Sequence, residues 1–406
     1  MPMRSVHHAT RRVVVVGAGV IGLTTALCLA RRGFHITIVA NQFSPGITSN
    51  VAGALWEWPP AVCGRHHNDV LLAPSKAWSL TSYQRFCALA EVPGRTGVFL
   101  RPANFYFRQP VDDDAAELTK MQELADNVLG FVHSAEMIED NGVNPNAGVM
   151  DAYSFLAPMV DTDRYLSWLL RQVTQAGCTL LRKRIYGDLR SQEKQLRREF
   201  AAELIVNCTG LGAYELAGDH DLCPHRGAVI RILNRGEVMP RITAAHCVAN
   251  DTSTDHQDMV FIVPRGSDRL LLGGLVEPGE WGTNVGLDYA PIRDLYRRNV
   301  DFLPILADAE LDQADPVRVG LRPFRGQSVR LEHEPGTSII HNYGHGGAGI
   351  TLSWGCAEHV VALVARLLDD PGTGCAQSAN PKQRARHLKP SRSMTRTPLP
   401  TGQIGR

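Results

Sequence analysis

The residues of this sequence best suited to chemistry lie in two glycine-rich stretches about 330 residues apart. The first is Gly17-Ala18-Gly19-Val20-Ile21-Gly22. The second is Gly344-His345-Gly346-Gly347-Ala348-Gly349, with four glycines in six residues. Without a Cβ, a glycine backbone can pass very close to a bound group. The first stretch has the G-x-G-x-x-G spacing that cradles a dinucleotide between a strand and a helix. Gly17 allows the tight turn, Gly19 lets the pyrophosphate approach, and Gly22 lets helix and strand pack closely. The helix that comes next offers free N–H groups and its dipole to the phosphates. An acid is expected near the end of the next strand, to hold ribose hydroxyls. The chain instead has Ala40-Asn41-Gln42. Asn41 and Gln42 can hydrogen-bond but bring no charge, so this run alone leaves FAD, NAD and NADP open. The second stretch suggests two ends of a chain gripping one long cofactor.

The elements that must position these residues are read from hydrophobic periodicity. Residues 12–16 (Arg-Val-Val-Val-Val) form a continuous β-branched run, as expected for a strand buried on both faces. Residues 23–31 read as a helix and 34–40 as a second strand. Tyr165, Leu166, Leu169, Leu170 and Val173 give 161–175 an amphipathic helical pattern. Residues 178–181 and 204–208 read as returning strands, 259–264 and 270–274 as a hairpin, and 351–368 as a closing helix. No internal repeat is visible.

Together these segments carry a family resemblance. The chain resembles the D-amino-acid oxidase family of flavoproteins over residues 12–370. The anchors are 17–23, Phe43-Ser44-Pro45, Val51-Ala52-Gly53-Ala54-Leu55-Trp56, Val206-Asn207-Cys208-Thr209-Gly210, Gly273-Gly274, and Leu321-Arg322-Pro323-Phe324-Arg325. The specific element is 339–357, which matches the family's signature throughout. The resemblance implies an α/β fold: a Rossmann-like domain holding non-covalent FAD, and a second domain with a mixed or antiparallel sheet. The implied boundaries are 10–58, 152–212 and 330–372 for the FAD-binding domain, and 59–151 and 213–329 for the substrate domain. It also implies oxidation of an amine or D-amino acid at Cα–N, with hydride passing to flavin. Imine, then 2-oxo acid and ammonia, and hydrogen peroxide are the expected products. A small-molecule amine or amino acid and molecular oxygen are the implied partners, and a homodimer is the candidate assembly. A dehydrogenase of the same fold using another electron acceptor, or a flavin-binding protein without catalysis, are the alternatives.

The resemblance assigns roles residue by residue. Arg325 is the expected carboxylate clamp, because a guanidinium fork makes paired hydrogen bonds to a carboxylate; Arg322 and Arg330 read as structural. Gly347 would bring backbone against flavin and substrate amine. Thr48, Ser49, Ala52, Gly53, Ala54, Ile185, Thr209, Gly210, Gly344, Gly346, Gly349, Ile350 and Thr351 are the further expected cofactor contacts. His341 and His345 read as packed rather than as bases. The chain departs from the family at Phe261, where a substrate-binding Tyr is usual, and at Glu57, where a Gln is common. Another family Tyr maps near Gln257. Phe261 and Glu57 together suggest a specialised substrate: a modified, cyclic, N-substituted or cationic amino acid.

The bulk numbers exclude little but are consistent. The 406 residues suit two domains, and 44% hydrophobic, 20% charged content is that of a globular protein. A net charge of +1 gives no reason to expect nucleic acid or an anionic membrane as partner. The nine cysteines show no C-x-x-C pair and no metal-ligand spacing, which points to reduced thiols and a cytoplasmic compartment. Residues 1–12 lack a signal-peptide pattern, and no apolar run approaches the length of a membrane span. From 379 to 406, basic residues among Pro, Ser and Thr read as a disordered tail.

Overall fold

Val13, Val14, Val15 and Val16 are all buried, as a β-branched run must be when both faces of a parallel sheet are covered. The computed structural model describes residues 11–59, 69–250 and 257–369; the basic tail expected at 379–406 lies outside them. Among the described residues the strands form two sheets, of six and nine strands. The smaller runs, in spatial order, Arg330–His333, Ile339–Tyr343, Leu204–Asn207, Arg12–Val16, His35–Ala40 and Thr179–Arg182. The last five are parallel, and the first is antiparallel to its neighbour. Helix Val20–Arg31 connects the first two strands in sequence and packs against helix Thr162–Gln175. The latter starts at Asp161, whose carboxylate accepts from the Arg164 amide, and buries Tyr165, Leu166, Leu169 and Val173.

The larger sheet runs Glu277–Pro278, Leu222–Leu233, Arg269–Gly273, Val260–Arg265, Ala245–Val248, Val98–Phe107, Asp151–Val160 and Leu129–His133, with Val317–Arg325 paired to Leu222–Leu233 outside that path. It is mostly antiparallel, with a parallel pairing of Val98–Phe107 and Ala245–Val248. Ile230, Ile232, Ile262, Leu270 and Leu272 bury one face of it together with Ile292, Leu295 and Phe302 of helix Ala290–Phe302.

Two expectations shift. Strand Asp151–Val160 pairs with Val98–Phe107 in the larger sheet, although the sequence boundaries put 152–212 in the FAD-binding domain. The described residues up to Ala365 pack as one compact unit. The last helix, Gly349–Asp369, is apolar and long enough to meet the length and composition test for a membrane span, but its apolar window is 67% buried within the fold. Gly355 allows its close approach to helix Asp69–Leu89, since a Cβ there would lie 2.3 Å from the Trp78 backbone.

Candidate active site

Five parallel strands end on one side of the smaller sheet, and the segments after them line a single cavity of about 600 Å³. This is where ligands of open α/β sheets bind, beyond the carboxyl ends of the strands. After Arg12–Val16 come Gly17, Ala18, Gly19, Val20 and Ile21. After His35–Ala40 come Asn41 and Gln42, then Thr48, Ser49, Ala52 and Gly53. Thr179–Arg182 leads to Ile185, and Leu204–Asn207 to Thr209 and Gly210. Ile339–Tyr343 leads to Gly346, Gly347, Gly349 and Ile350. All of these are on the wall.

The local geometry explains the residue types. Gly17 has φ +110, and a Cβ on it would lie 2.3 Å from the Cys208 carbonyl oxygen. A Cβ on Gly22 would lie 2.0 Å from the Gly17 oxygen; Gly22 is behind the wall, in its expected packing role. Helix Val20–Arg31 has no side-chain cap at Gly19. The Val20 amide donates to Ser49 Oγ at 3.1 Å, and the helix N-terminus faces the cavity, a natural seat for phosphate. Three expected contacts sit back from the wall. Ala54 turns away with φ +55 and its carbonyl accepts from the Val160 amide. Gly344 (φ +82) lies against the Arg325 side chain, and Thr351 is buried in the last helix.

On the wall, two buried polar atoms lack partners: Asn342 Oδ1 and His345 Nε2. Buried polar atoms without partners are uncommon, and both of these belong to residues beside the cavity. Burial lowers the His345 pKa to about 3, so its ring is neutral near pH 7 and far too weak a base to take a proton from a substrate amine. His341, off the wall, pairs with Glu334.

The substrate-facing assignments fall apart differently. Arg325 is not on the wall. Its Nε donates to Asp219 Oδ2 at 2.9 Å and its Nη1 to the Ser328 carbonyl at 3.1 Å. Arg322, read as structural, is on the wall. Its Nη1 donates to the Leu275 carbonyl at 3.1 Å, burial alone pulls its pKa down, and no carboxylate among the described residues neutralises it. Other arginines nearby are ion-paired: Arg226 with Glu277, Arg231 with Asp312, Arg325 with Asp219. Gly227 makes room for the Arg322 head, since a Cβ there would lie 2.2 Å from Nη1. Phe261 is just behind the wall, its ring 2.6 Å from where a Cβ on Gly53 would be. Glu57 is also off the wall; burial raises its pKa, opposed by Lys120 and reinforced by Glu117. Gln257 exchanges hydrogen bonds with the backbone of Val276. Gly347 is on the wall as expected.

The comparisons with known proteins decide what fills this cavity. A model of FAD-dependent oxidoreductases matches residues 12–363. The chain belongs to that family. It is 34% identical over 360 residues to the D-amino-acid oxidase of Rubrobacter xylanophilus, covering 88% of this chain and 97% of that one. It is likewise 34% identical over 354 residues to the D-amino-acid oxidase of Streptomyces coelicolor, covering 86% and 96%. Among solved structures it is similar in fold to glycine oxidase from Geobacillus kaustophilus, with a TM-score of 0.67 at 22% identity over 94% of this chain and 100% of that one.

This FAD-dependent oxidoreductase therefore has a glycine cradle and a helix N-terminus at the cavity that fit its cofactor. Sequence reasoning missed several wall residues. Lys183 and Arg184 come directly after strand Thr179–Arg182 and were findable from the strand end. Glu215 supplies a carboxylate to the wall, where it accepts from the Gly187 amide at 2.7 Å. Gly227, Ala228 and Val229 come from the larger sheet, and nothing local in the sequence marks them.

Proposed function

We propose that this flavoenzyme oxidises a D-amino acid, or a close relative bearing a carboxylate, at its Cα–N bond, and that Arg322 rather than Arg325 is the carboxylate anchor. The substrate loses a hydride from Cα and a proton from nitrogen to become an imine. Water converts the imine to a 2-oxo acid and ammonia, and oxygen leaves as hydrogen peroxide. The FAD, when bound, supplies the two-electron acceptor for that step.

The observation that carries the reading is the Arg322 guanidinium, at the cavity wall and without a carboxylate. A buried cation in that state costs free energy that an arriving carboxylate offsets through paired, charge-assisted hydrogen bonds. The backbone at Gly346 and Gly347, also on the wall, can take the amine or hold the cofactor ring against the substrate. Near pH 7 neutral His345 offers hydrogen bonds but no base, consistent with a reaction in which positioning matters more than proton transfer. The D configuration is taken from the relatives named D-amino-acid oxidase.

Phe261 still favours a specialised substrate, because it fills the usual Tyr position without a hydroxyl. Glu57 no longer argues for a cationic one, since it is off the wall and burial pushes its carboxyl toward the neutral form. The seven described cysteines are free, which supports a reducing, cytoplasmic setting. The test is to mix holoenzyme anaerobically with D-, L- and N-methyl amino acids and record loss of the flavin's visible absorbance, then admit air. Bleaching by D-amino acids followed by recolouring in air is expected. Failure of every amine and amino acid to bleach it would sink the proposal.

A further inference from the structure

Strand Val260–Arg265 touches the cofactor cavity without lining it. Phe261 and Arg265 are four residues apart and so project from the same face of the strand. The Phe261 ring presses on Gly53, where a Cβ would lie 2.6 Å away. Arg265 is buried at 6% exposure and reaches the same strip of backbone. Its Nη2 donates to the carbonyls of Ala52 at 2.6 Å and Gly53 at 3.0 Å. Its Nη1 donates to the Val160 carbonyl and to Thr162 Oγ1 at 2.9 Å. Thr162 Oγ1 in turn donates to the Asn50 carbonyl at 2.7 Å, and Asn50 Nδ2 donates to Asp163 Oδ1 at 2.7 Å.

Ala52 and Gly53 are on the cavity wall; Arg265 is not. All four of these acceptors are neutral oxygens, on two segments over a hundred residues apart. A buried guanidinium used in this way is poor for stability alone, because among the described residues no carboxylate within ion-pair distance offsets its desolvation; Asp161 and Asp163 act on it only as nearby charges. Its planar fork is well suited to fixing several carbonyls in one geometry.

We propose that Arg265 is a positioning residue that sets the 52–53 backbone as the floor of the FAD site, acting through Ala52 and Gly53 rather than touching cofactor or substrate. The strand of the larger sheet thereby fixes the floor twice, by the Phe261 ring and by the Arg265 fork. A shift of that floor changes how FAD is held and the surroundings of its ring. A merely structural staple would change stability alone.

The experiment compares Arg265→Lys, Arg265→Met and Thr162→Val with the unsubstituted chain. Three quantities are read: the FAD dissociation constant, the visible spectrum and reduction potential of the bound flavin, and the unfolding midpoint of the apoprotein. The expected result for Arg265→Met is FAD binding weakened by at least about tenfold with a shifted spectrum or potential. Arg265→Lys is expected to restore part of the affinity, and Thr162→Val to shift the spectrum in the same direction by less. An equal loss of stability in apo and holo forms, with affinity, spectrum and potential unchanged, overturns the proposal. If Arg265→Met does not fold, Arg265→Lys and Thr162→Val are judged by the same criterion.

Discussion

At the residue scale, the two arginines of one strand have different work. Arg325 serves Asp219, a buried carboxylate that also accepts from Tyr343 Oη at 2.9 Å. Arg322 faces the cavity without such a partner. Arg322→Gln is expected to lower kcat/KM for amino acids by about 10- to 150-fold, the value of one charged hydrogen bond at about 1.5–3 kcal/mol. Arg325→Gln is expected to lower the unfolding midpoint and leave KM nearly unchanged; steady-state kinetics and thermal melts separate the two. The reverse pattern would return the clamp to Arg325. Phe261→Tyr restores a hydroxyl and is expected to lower KM for plain D-amino acids; no change for any carboxylate substrate would mean that position 261 does not set the substrate preference. Glu57 gives a pH prediction. Its pKa is raised on folding, by burial first, so the folded chain holds the proton more tightly than the unfolded chain. Its contribution to stability therefore falls as pH rises through and above the ordinary carboxylate range. Glu57→Gln is expected to melt higher than the unsubstituted chain at neutral pH, with the gap closing toward acid pH, as measured by melts across a pH series.

At the element scale, paired strands Leu222–Leu233 and Val317–Arg325 build the substrate side of the site. Gly227 and Gly320 are register partners, and Arg322 lies two residues further along. The guanidinium thus folds over a flat, Cβ-free patch of the neighbouring strand. A methyl group at 227 would meet Nη1 at 2.2 Å. Because the obstructed atoms are at the end of a flexible side chain, the strand pairing survives and the head group moves. Gly227→Ala is expected to raise KM for amino acids by roughly tenfold or more while FAD affinity stays within about twofold. Titration with FAD and steady-state kinetics check this; a matching loss of FAD affinity would mean the strand itself had shifted.

At the scale of the whole molecule, both sheets contribute wall residues to one cavity, Gly17 and Gly347 from one and Gly227 and Arg322 from the other. A ligand seated there stabilises both at once. FAD at a hundred times its dissociation constant is expected to add about 2.7 kcal/mol and raise the melting temperature of the protein in proportion to the logarithm of its concentration. Calorimetry at several FAD concentrations measures this. A melting temperature indifferent to FAD would mean that the cofactor does not bind preferentially to the folded state.

The sequence by itself determined what depends on neighbours along the chain. The strand, the Gly17 to Gly22 turn and the helix after it are local, so their pattern was enough to place a phosphate cradle. The glycines of 344–349 were likewise legible, because close backbone approach demands that residue type wherever it occurs. Only the tertiary structure decided matters of facing and partnership. Arg322 and Arg325 are three apart on one strand and so point to opposite faces; the sequence cannot say which face meets the cavity. Glu277 comes from a distant segment to take Arg226, and Asp219 from another to take Arg325. Such pairings are set by which surfaces the packed core brings together, and two arginines of the same type in the same strand differ only in what that packing leaves beside them.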